Sequence, residues 1–170
     1  MQISPVFMKN SNHVIEYESY ASIDELSEED RWLLNEARVL TGLAYAPYSN
    51  FHVAAVARMS NGEVVNGTNQ ENASFPVGLC AERVLLATAS SVFPNEAIDT
   101  LAISYNNNRD ESSHPVAPCG LCRQSLAEFE ARMKQPIRLI LGGLEGEVLI
   151  FKQSKLLLPF NFESGELGGL

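Results

Sequence analysis

The chain has 170 residues, of which 45% are hydrophobic and 19% charged, a composition typical of one globular domain. Twelve lysines and arginines against 21 aspartates and glutamates give a formal net charge of −9, which disfavours a nucleic-acid partner. No apolar run approaches the ~20 residues of a membrane span, and the N-terminus lacks the basic and apolar regions of a secretory signal. We therefore expect a cytoplasmic protein with no membrane partner.

The first half of the chain alternates helix and strand signals. Residues 1–26 are polar and weakly periodic, and we interpret them as an N-terminal extension. Ser27 has the features of a helix cap, because three acidic residues follow it and apolar residues then recur at helical spacing. Pro47 is predicted to end this helix. Residues 51–59 and 63–69 are predicted to be strands joined by a tight turn.

The second half continues the alternation. The sequence predicts, in order, a helix over 79–91, a strand over 99–105, a helix over 119–133, and strands over 137–142 and 147–151. A short helix before Pro159 and an irregular tail complete the chain. This order favours an α/β protein, a three-layer α/β/α sandwich with a mixed five-stranded sheet, in which residues 27–170 form one domain.

The three cysteines indicate a metal site. Cys119 and Cys122, in the segment PCGLCRQ, lie at i and i+3 near the start of a predicted helix, so their side chains share one face. Cys80 lies at the start of the preceding helix, and the positive ends of two helix dipoles favour the thiolate form that binds metal. Three thiolates suit zinc and leave its fourth position for water, which is the pattern of a catalytic site.

A closed structural zinc site is the alternative interpretation. His114, five residues before Cys119, would then be the fourth ligand. His13 and His52 are poorer candidates, because nothing around either of them resembles a ligand pair. Three cysteines buried as small apolar side chains would be a further possibility, but their positions at two predicted helix starts weaken it.

Glu82 lies two residues after Cys80, in the first turn of the predicted helix, where it could project toward a water on the metal. Zinc nucleobase deaminases combine H-x-E with P-C-x-x-C, and the glutamate acts as acid and base without binding the metal. Here Cys80 takes the place of the histidine. A surface carboxylate that interacts with the helix dipole is the alternative interpretation of Glu82.

The segments APYSNFHVAAV, TNQENASFPVGLCAER and PCGLCRQ together resemble the small, homotetrameric, zinc-dependent cytidine deaminases of pyrimidine salvage. The resemblance extends over roughly residues 30–162. It implies hydrolytic deamination of cytidine and 2'-deoxycytidine, with one Zn²⁺ per chain held by three cysteines and with Glu82 as the catalytic proton carrier.

The same resemblance implies substrate contacts. Asn69 and Glu71 would hold the ribose hydroxyls, and Phe51 would pack on the pyrimidine ring. Ala81 would offer its backbone to the base, and Arg83 would hydrogen-bond the zinc thiolates. Each of these, taken alone, has an ordinary structural interpretation as a loop or helix residue.

Two further positions bear on the resemblance. The family has glycine where this chain has Ala54, and a methyl group there could tighten the packing near the base. Phe162, in the apolar tail segment LLLPFNF, would reach the pyrimidine pocket of a neighbouring subunit in a homotetramer. A tail that folds back over its own core is the alternative.

Three competing functions remain at this point. A related zinc aminohydrolase acting on a modified or antibiotic cytosine nucleoside would have the same zinc motifs. A non-enzymatic zinc-binding module would bind the metal without turnover. A polynucleotide deaminase is disfavoured by the net charge of −9, because such a chain offers no basic surface along which a nucleic-acid strand could bind.

Overall fold

The computed structural model describes residues 10–168. Its strands and α-helices are, in chain order, β1 (Glu18–Tyr20), α1 (Glu28–Leu40), β2 (Phe51–Met59), β3 (Val64–Thr68), α2 (Ala81–Val92), β4 (Ile98–Asn107), α3 (Gly120–Met133), β5 (Arg138–Gly142) and β6 (Val148–Phe151). The predicted helix before Pro159 is present as a short 3-10 helix, Ser154–Leu157. None of the helices between residues 10 and 168 combines the length and the apolar character that a membrane crossing requires.

The strands form one mixed sheet in the order β1-β6-β5-β4-β2-β3. Strands β4 and β5 are parallel, and every other neighbouring pair is antiparallel. The predicted α/β sheet is confirmed, but the predicted number of five strands is wrong because β1 adds a sixth. This strand lies within the segment interpreted as an extension, and its three polar residues give no apolar alternation that would reveal it.

Helices cover both faces of the sheet, as the predicted three-layer sandwich requires. On one face, Leu33, Leu34 and Ala37 of α1 pack in a cluster with Val56 and Ile140 of the sheet. A second cluster on the other face joins α2 and α3 to the sheet; its buried members include Ala55, Leu85, Leu101, Leu126, Phe129 and Leu139. The strands are therefore buried between two helical layers.

Helix α1 begins as predicted but ends earlier than predicted. The Ser27 hydroxyl accepts a hydrogen bond from the backbone N–H of Asp30 at 3.2 Å, which satisfies one of the free N–H groups of the first turn. The helix ends at Leu40 rather than near Pro47, and a 3-10 turn follows. The Thr41 hydroxyl donates to the carbonyl of Arg38 at 2.7 Å, and Gly42 then disfavours continuation of the helix.

Gly67 allows α2 to lie directly on β3. A Cβ atom at this position would be 2.5 Å from the carbonyl oxygen of Ala81, in the first turn of the helix. No side chain larger than hydrogen fits at that separation. Gly67 therefore determines how closely the beginning of α2 approaches the sheet.

Candidate functional site: a three-cysteine group beside a buried glutamate

The chain topology brings the beginnings of three elements to one edge of the sheet. Strands β3 and β4 both pair antiparallel with β2, so both run in the same direction and end where β2 begins. Helix α2 follows β3 and helix α3 follows β4, which places both helix N-termini at this edge. Phe51, the first residue of β2, lies there as well.

The three cysteines lie together at this edge. Cys80 is the N-cap of α2, Cys119 is the N-cap of α3, and Cys122 lies in the first turn of α3. Their sulfur atoms all lie within 4.8 Å of one another, with 3.8 Å between Cys80 and Cys119 and 3.4 Å between Cys119 and Cys122. Cys122 is buried, whereas Cys119 is exposed.

The pKa values of these thiols are consistent with a cation bound among the three sulfurs. The pKa of Cys80 is lowered to about 6, because the Cys122 thiol hydrogen-bonds to its thiolate and the nearby Arg83 charge also favours that form. The pKa of Cys122 is raised by its hydrogen bond to the Cys80 thiolate and by burial. The Cys80 thiolate therefore forms readily while ionisation of Cys122 is opposed, and a positive ion beside the sulfurs would favour the ionised form of both.

Zinc matches this donor set, since thiolates are among its preferred ligands and three protein ligands are typical of its catalytic sites. His114, the alternative fourth ligand, is not a member of the sulfur group; its Nδ1 lies 3.3 Å from the hydroxyl of Tyr105. In the part of the chain that the structure describes, the group consists of cysteines alone.

A cavity of about 500 Å³ opens beside the sulfur group. Its lining includes Cys80, Cys119 and Glu82 together with Glu71 and Asn69. The Glu82 side chain is buried, with 5% of the residue exposed. Burial raises the pKa of its carboxyl, as does the Cys80 thiolate, so this group takes up a proton more readily than an exposed glutamate does.

Asn69 and Glu71 are held in place by backbone hydrogen bonds. Asn69 accepts from the N–H of Val53 at 2.7 Å and donates to the carbonyl of Phe51 at 2.9 Å. Glu71 accepts from the N–H of Tyr48 at 2.8 Å, and hydrogen bonding from the Ser49 side chain is the main cause that lowers the pKa of its carboxyl. The carboxylate and the amide retain further sites for hydrogen bonds to a ligand.

Two stacked aromatic side chains form part of the cavity lining. The rings of Phe51 and Tyr105 stack with centroids 4.9 Å apart and an interplanar angle of 14°, and both residues line the cavity. Tyr105 was not identified from the sequence. It ends the segment DTLAISY, whose apolar character predicts a strand but does not indicate which end of that strand faces a cavity.

Comparisons with known proteins agree with this geometry. A family model described as the cytidine and deoxycytidylate deaminase zinc-binding region matches residues 27–135. A cytidine deaminase from Halalkalibacterium halodurans is 35% identical over 125 residues, which span 74% of this chain and 88% of that protein. The chain belongs to the cytidine and deoxycytidylate deaminase family.

Solved structures give the same result. The crystal structure of a cytidine deaminase from Burkholderia pseudomallei superposes with a TM-score of 0.67 at 33% identity, over 81% of this chain and all of that one. A cytidine deaminase from Mycobacterium tuberculosis superposes with a TM-score of 0.60 at 28% identity, over 78% of this chain and 95% of that one. The predicted family, fold class, enzyme class and zinc cofactor are thus confirmed.

Ala81, Arg83 and Ala54 are three further residues on which the resemblance to the deaminases bears. Ala81 is fully buried and lines the cavity. Arg83 is close enough for its charge to lower the pKa of Cys80, although between residues 10 and 168 no hydrogen bond joins its guanidinium to a sulfur. Successive side chains of a strand point to opposite faces of the sheet. Val53 and Ala55 of β2 lie on the face covered by α2 and α3. The methyl group of Ala54 therefore points to the opposite face, which α1 covers, and away from the cavity.

Phe162 does not line the cavity of its own chain, and 57% of the residue is exposed. Gln124 holds its backbone, because the amide of Gln124 donates to the Phe162 carbonyl at 2.8 Å and accepts from the Phe162 N–H at 3.2 Å. Arg123 donates to the carbonyls of Pro118 at 2.7 Å and Leu157 at 3.0 Å. Arg123 and Gln124 therefore join the C-terminal tail to α3 by hydrogen bonds. Their positions in the sequence did not indicate this role.

Proposed function

We propose that this deaminase hydrolyses cytidine and 2'-deoxycytidine to uridine and 2'-deoxyuridine with release of ammonia, in pyrimidine salvage. The observation that carries the proposal is the buried Glu82 carboxyl beside a group of three sulfurs, in a cavity whose lining also includes Glu71 and Asn69. A proton carrier and a metal site, together with polar groups that can hold a sugar, match the two parts of a nucleoside.

Cys80, Cys119 and Cys122 are assigned as the ligands of one Zn²⁺. Zinc, when bound, supplies a Lewis acid that lowers the pKa of a coordinated water from ~15.7 toward neutrality. Arg83 and the two helix N-termini reduce the negative charge that three thiolates place around the ion. We propose that Arg83 serves in this way.

Glu82 carries protons during the reaction. It accepts a proton from the attacking water and delivers it to N3 of the cytosine ring, while the oxygen of the water bonds to C4. Glu82 then transfers the remaining hydroxyl proton to the amino nitrogen on C4. The bond between C4 and that nitrogen breaks, ammonia leaves, and the C4 oxygen becomes the carbonyl of uracil.

The rest of the cavity binds and orients the nucleoside. We assign Phe51 to contact with the pyrimidine ring, the Ala81 backbone to a hydrogen bond with the base, and Asn69 and Glu71 to the sugar hydroxyls. The acidic groups in the cavity lining are carboxyls and thiols, and the lining that the structure describes contains no lysine, arginine or histidine. Such a cavity disfavours a 5'-phosphate, so the substrate is a nucleoside rather than a nucleotide.

The proposal extends to assembly and location. We propose a homotetramer in which Phe162 closes the pyrimidine pocket of a neighbouring subunit, and a cytoplasmic enzyme, since the three cysteines are free thiols suited to a reducing compartment. Residues 27–170 are proposed to be the catalytic domain, and the segment before them, interpreted from the sequence as an extension, adds strand β1 to the sheet of that domain.

Ammonia release from a panel of cytosine compounds tests the substrate assignment. We expect turnover of cytidine and deoxycytidine, and kcat/KM at least about tenfold lower for free cytosine, which lacks the sugar contacts, and for deoxycytidine monophosphate. A cytosine-bearing antibiotic nucleoside belongs in the same panel. The proposal is wrong if that compound or the monophosphate is the preferred substrate, or if zinc-loaded protein turns over none of them.

A further inference from the structure

The turn that precedes β2 determines where the Glu71 carboxylate points. One oxygen of Glu71 accepts from the backbone N–H groups of Tyr48, at 2.8 Å, and Ser49, at 3.3 Å. Both donors belong to the turn 48–50, which is exposed at Tyr48 and Ser49, half-buried at Asn50, and leads into β2 at Phe51. Any movement of this turn therefore moves the carboxylate that lines the cavity.

The side chain of one arginine from a distant part of the chain hydrogen-bonds to this turn. Arg109, in the loop between β4 and α3, donates from Nη2 to the carbonyl of Tyr48 at 3.0 Å. With the Asn50 amide in the orientation that its neighbours require, its oxygen accepts from Arg109 Nε at 3.2 Å and from Nη2 at 2.9 Å. The guanidinium thus contacts the residue on each side of Ser49.

The backbone of Asn50 has an uncommon conformation. Its φ angle is 56°, in the left-handed region that asparagine adopts more readily than most residues other than glycine. Its carbonyl also accepts from the N–H of Asn108 at 3.1 Å, next to Arg109. The loop that carries Arg109 and the turn that supports Glu71 are therefore joined by both backbone and side-chain hydrogen bonds.

We propose that Arg109 is a positioning residue for nucleoside binding, which acts by fixing the turn 48–50 and through it the Glu71 carboxylate. The inference rests on the proposed function, because it takes Glu71 as a group that binds the sugar. Arg109 itself is exposed and does not line the cavity. Its loss should weaken binding of the sugar and leave the chemistry at Glu82 unchanged.

The test compares Arg109→Gln with the matched control Arg132→Gln. Arg132 is an exposed arginine on α3 whose Nη2 donates to the Ser90 hydroxyl at 2.8 Å, away from the turn. Calorimetry with uridine, the product, measures binding without catalysis. We expect Arg109→Gln to weaken uridine binding and to raise KM for cytidine by about tenfold, with kcat and zinc content within twofold of the unmodified protein. The control should change none of these quantities.

A double-mutant cycle identifies the group through which Arg109 acts. In a Glu71→Gln background we expect Arg109→Gln to cause less than about a twofold further loss in uridine affinity, because the carboxylate that it positions is already gone. Arg109→Lys should recover only part of the affinity, since an ammonium cannot reproduce the fixed geometry of the guanidinium.

The outcomes separate this inference from the proposed function. An active unmodified enzyme whose Arg109→Gln variant binds uridine normally would overturn the inference alone, and so would an equal loss in both backgrounds. An unmodified, zinc-loaded protein without activity on any cytosine nucleoside would overturn the proposed function and this inference with it.

Discussion

The residue that most directly links the structure to the chemistry is Glu82. Its carboxyl is buried beside Cys80 and lines the cavity, and burial raises its pKa above that of an exposed glutamate. A group that must accept a proton and then release it works best when its pKa approaches the operating pH. An exposed helix carboxylate, the alternative interpretation of this residue, would not have that property.

Local spacing is sufficient to predict some of the site residues and insufficient for others. Cys80 and Glu82 share one helical turn, and Cys119 and Cys122 share another, so their relative positions follow from the sequence. Tyr105 could not be predicted in the same way, because its place in the cavity depends on a strand register that pairs it with Val53. Contacts of this kind are set by tertiary structure and leave no local pattern.

Removal of Cys122 tests the ligand assignment. Cys122→Ala deletes the buried member of the sulfur group and should reduce zinc from near one ion per chain to well below that, with a lower melting temperature. Ser125→Ala, one turn along α3, is the matched control and should keep its zinc. Metal analysis of both purified variants is the measurement, and full occupancy in Cys122→Ala would contradict the assignment.

At the scale of elements, the position of α2 on β3 decides where Cys80 and Glu82 lie. The alternation of helix and strand was predicted correctly along most of the chain, because apolar periodicity is strong in the buried elements. Strand β1 was missed, since it is held by backbone pairing to β6 and by a hydrogen bond of 2.6 Å from Ser19 to Glu147, and only Tyr20 of its three residues packs against the core.

The close approach at Gly67 gives a prediction for this element. Gly67→Ala places a methyl group against the backbone of Ala81 and Leu85, which should displace the first turn of α2 and destabilise the protein by about 1–3 kcal/mol. Zinc affinity and turnover should fall as well, since that turn carries Cys80 and Glu82. Denaturant unfolding and a chelator competition measure the two effects.

Gly42→Ala is the control for this substitution, because a Cβ atom there meets no other atom within 4 Å. It should leave zinc affinity unchanged. Equal stability and equal zinc affinity in the Gly67 and Gly42 variants would show that the separation of α2 from β3 does not control the site.

At the scale of the whole molecule, strand directions bring residues from four separate parts of the sequence to one edge. Phe51 begins β2, Asn69 follows β3, and Cys80 and Cys119 begin α2 and α3. The sequence predicts each element, but only the pairing of β2 with both β3 and β4 brings their ends together. In the single chain Leu156 and Leu157 of the tail pack against the core, as the alternative of a folded-back tail requires, whereas Phe160 at 90% and Phe162 at 57% remain exposed.

This exposure leads to a prediction about assembly. Phe162→Ala should lower kcat/KM for cytidine by about tenfold or more without changing zinc content, because the neighbouring pocket loses an apolar cover. Phe160→Ala is the comparison, since Phe160 is more exposed and is not assigned to a pocket. Light scattering of the unmodified protein should give a tetramer, and a fully active monomer at micromolar concentration would contradict the proposed assembly.

The most direct test of the account is the rate of uridine formation from cytidine by Glu82→Gln, measured with the zinc content of the same sample. The amide keeps the size of the side chain but cannot carry the proton, so turnover should fall by about 10²–10⁴-fold while zinc stays near one ion per chain. A Glu82→Gln protein with full zinc and turnover within tenfold of the unmodified enzyme would contradict the assignment of Glu82 as the proton carrier.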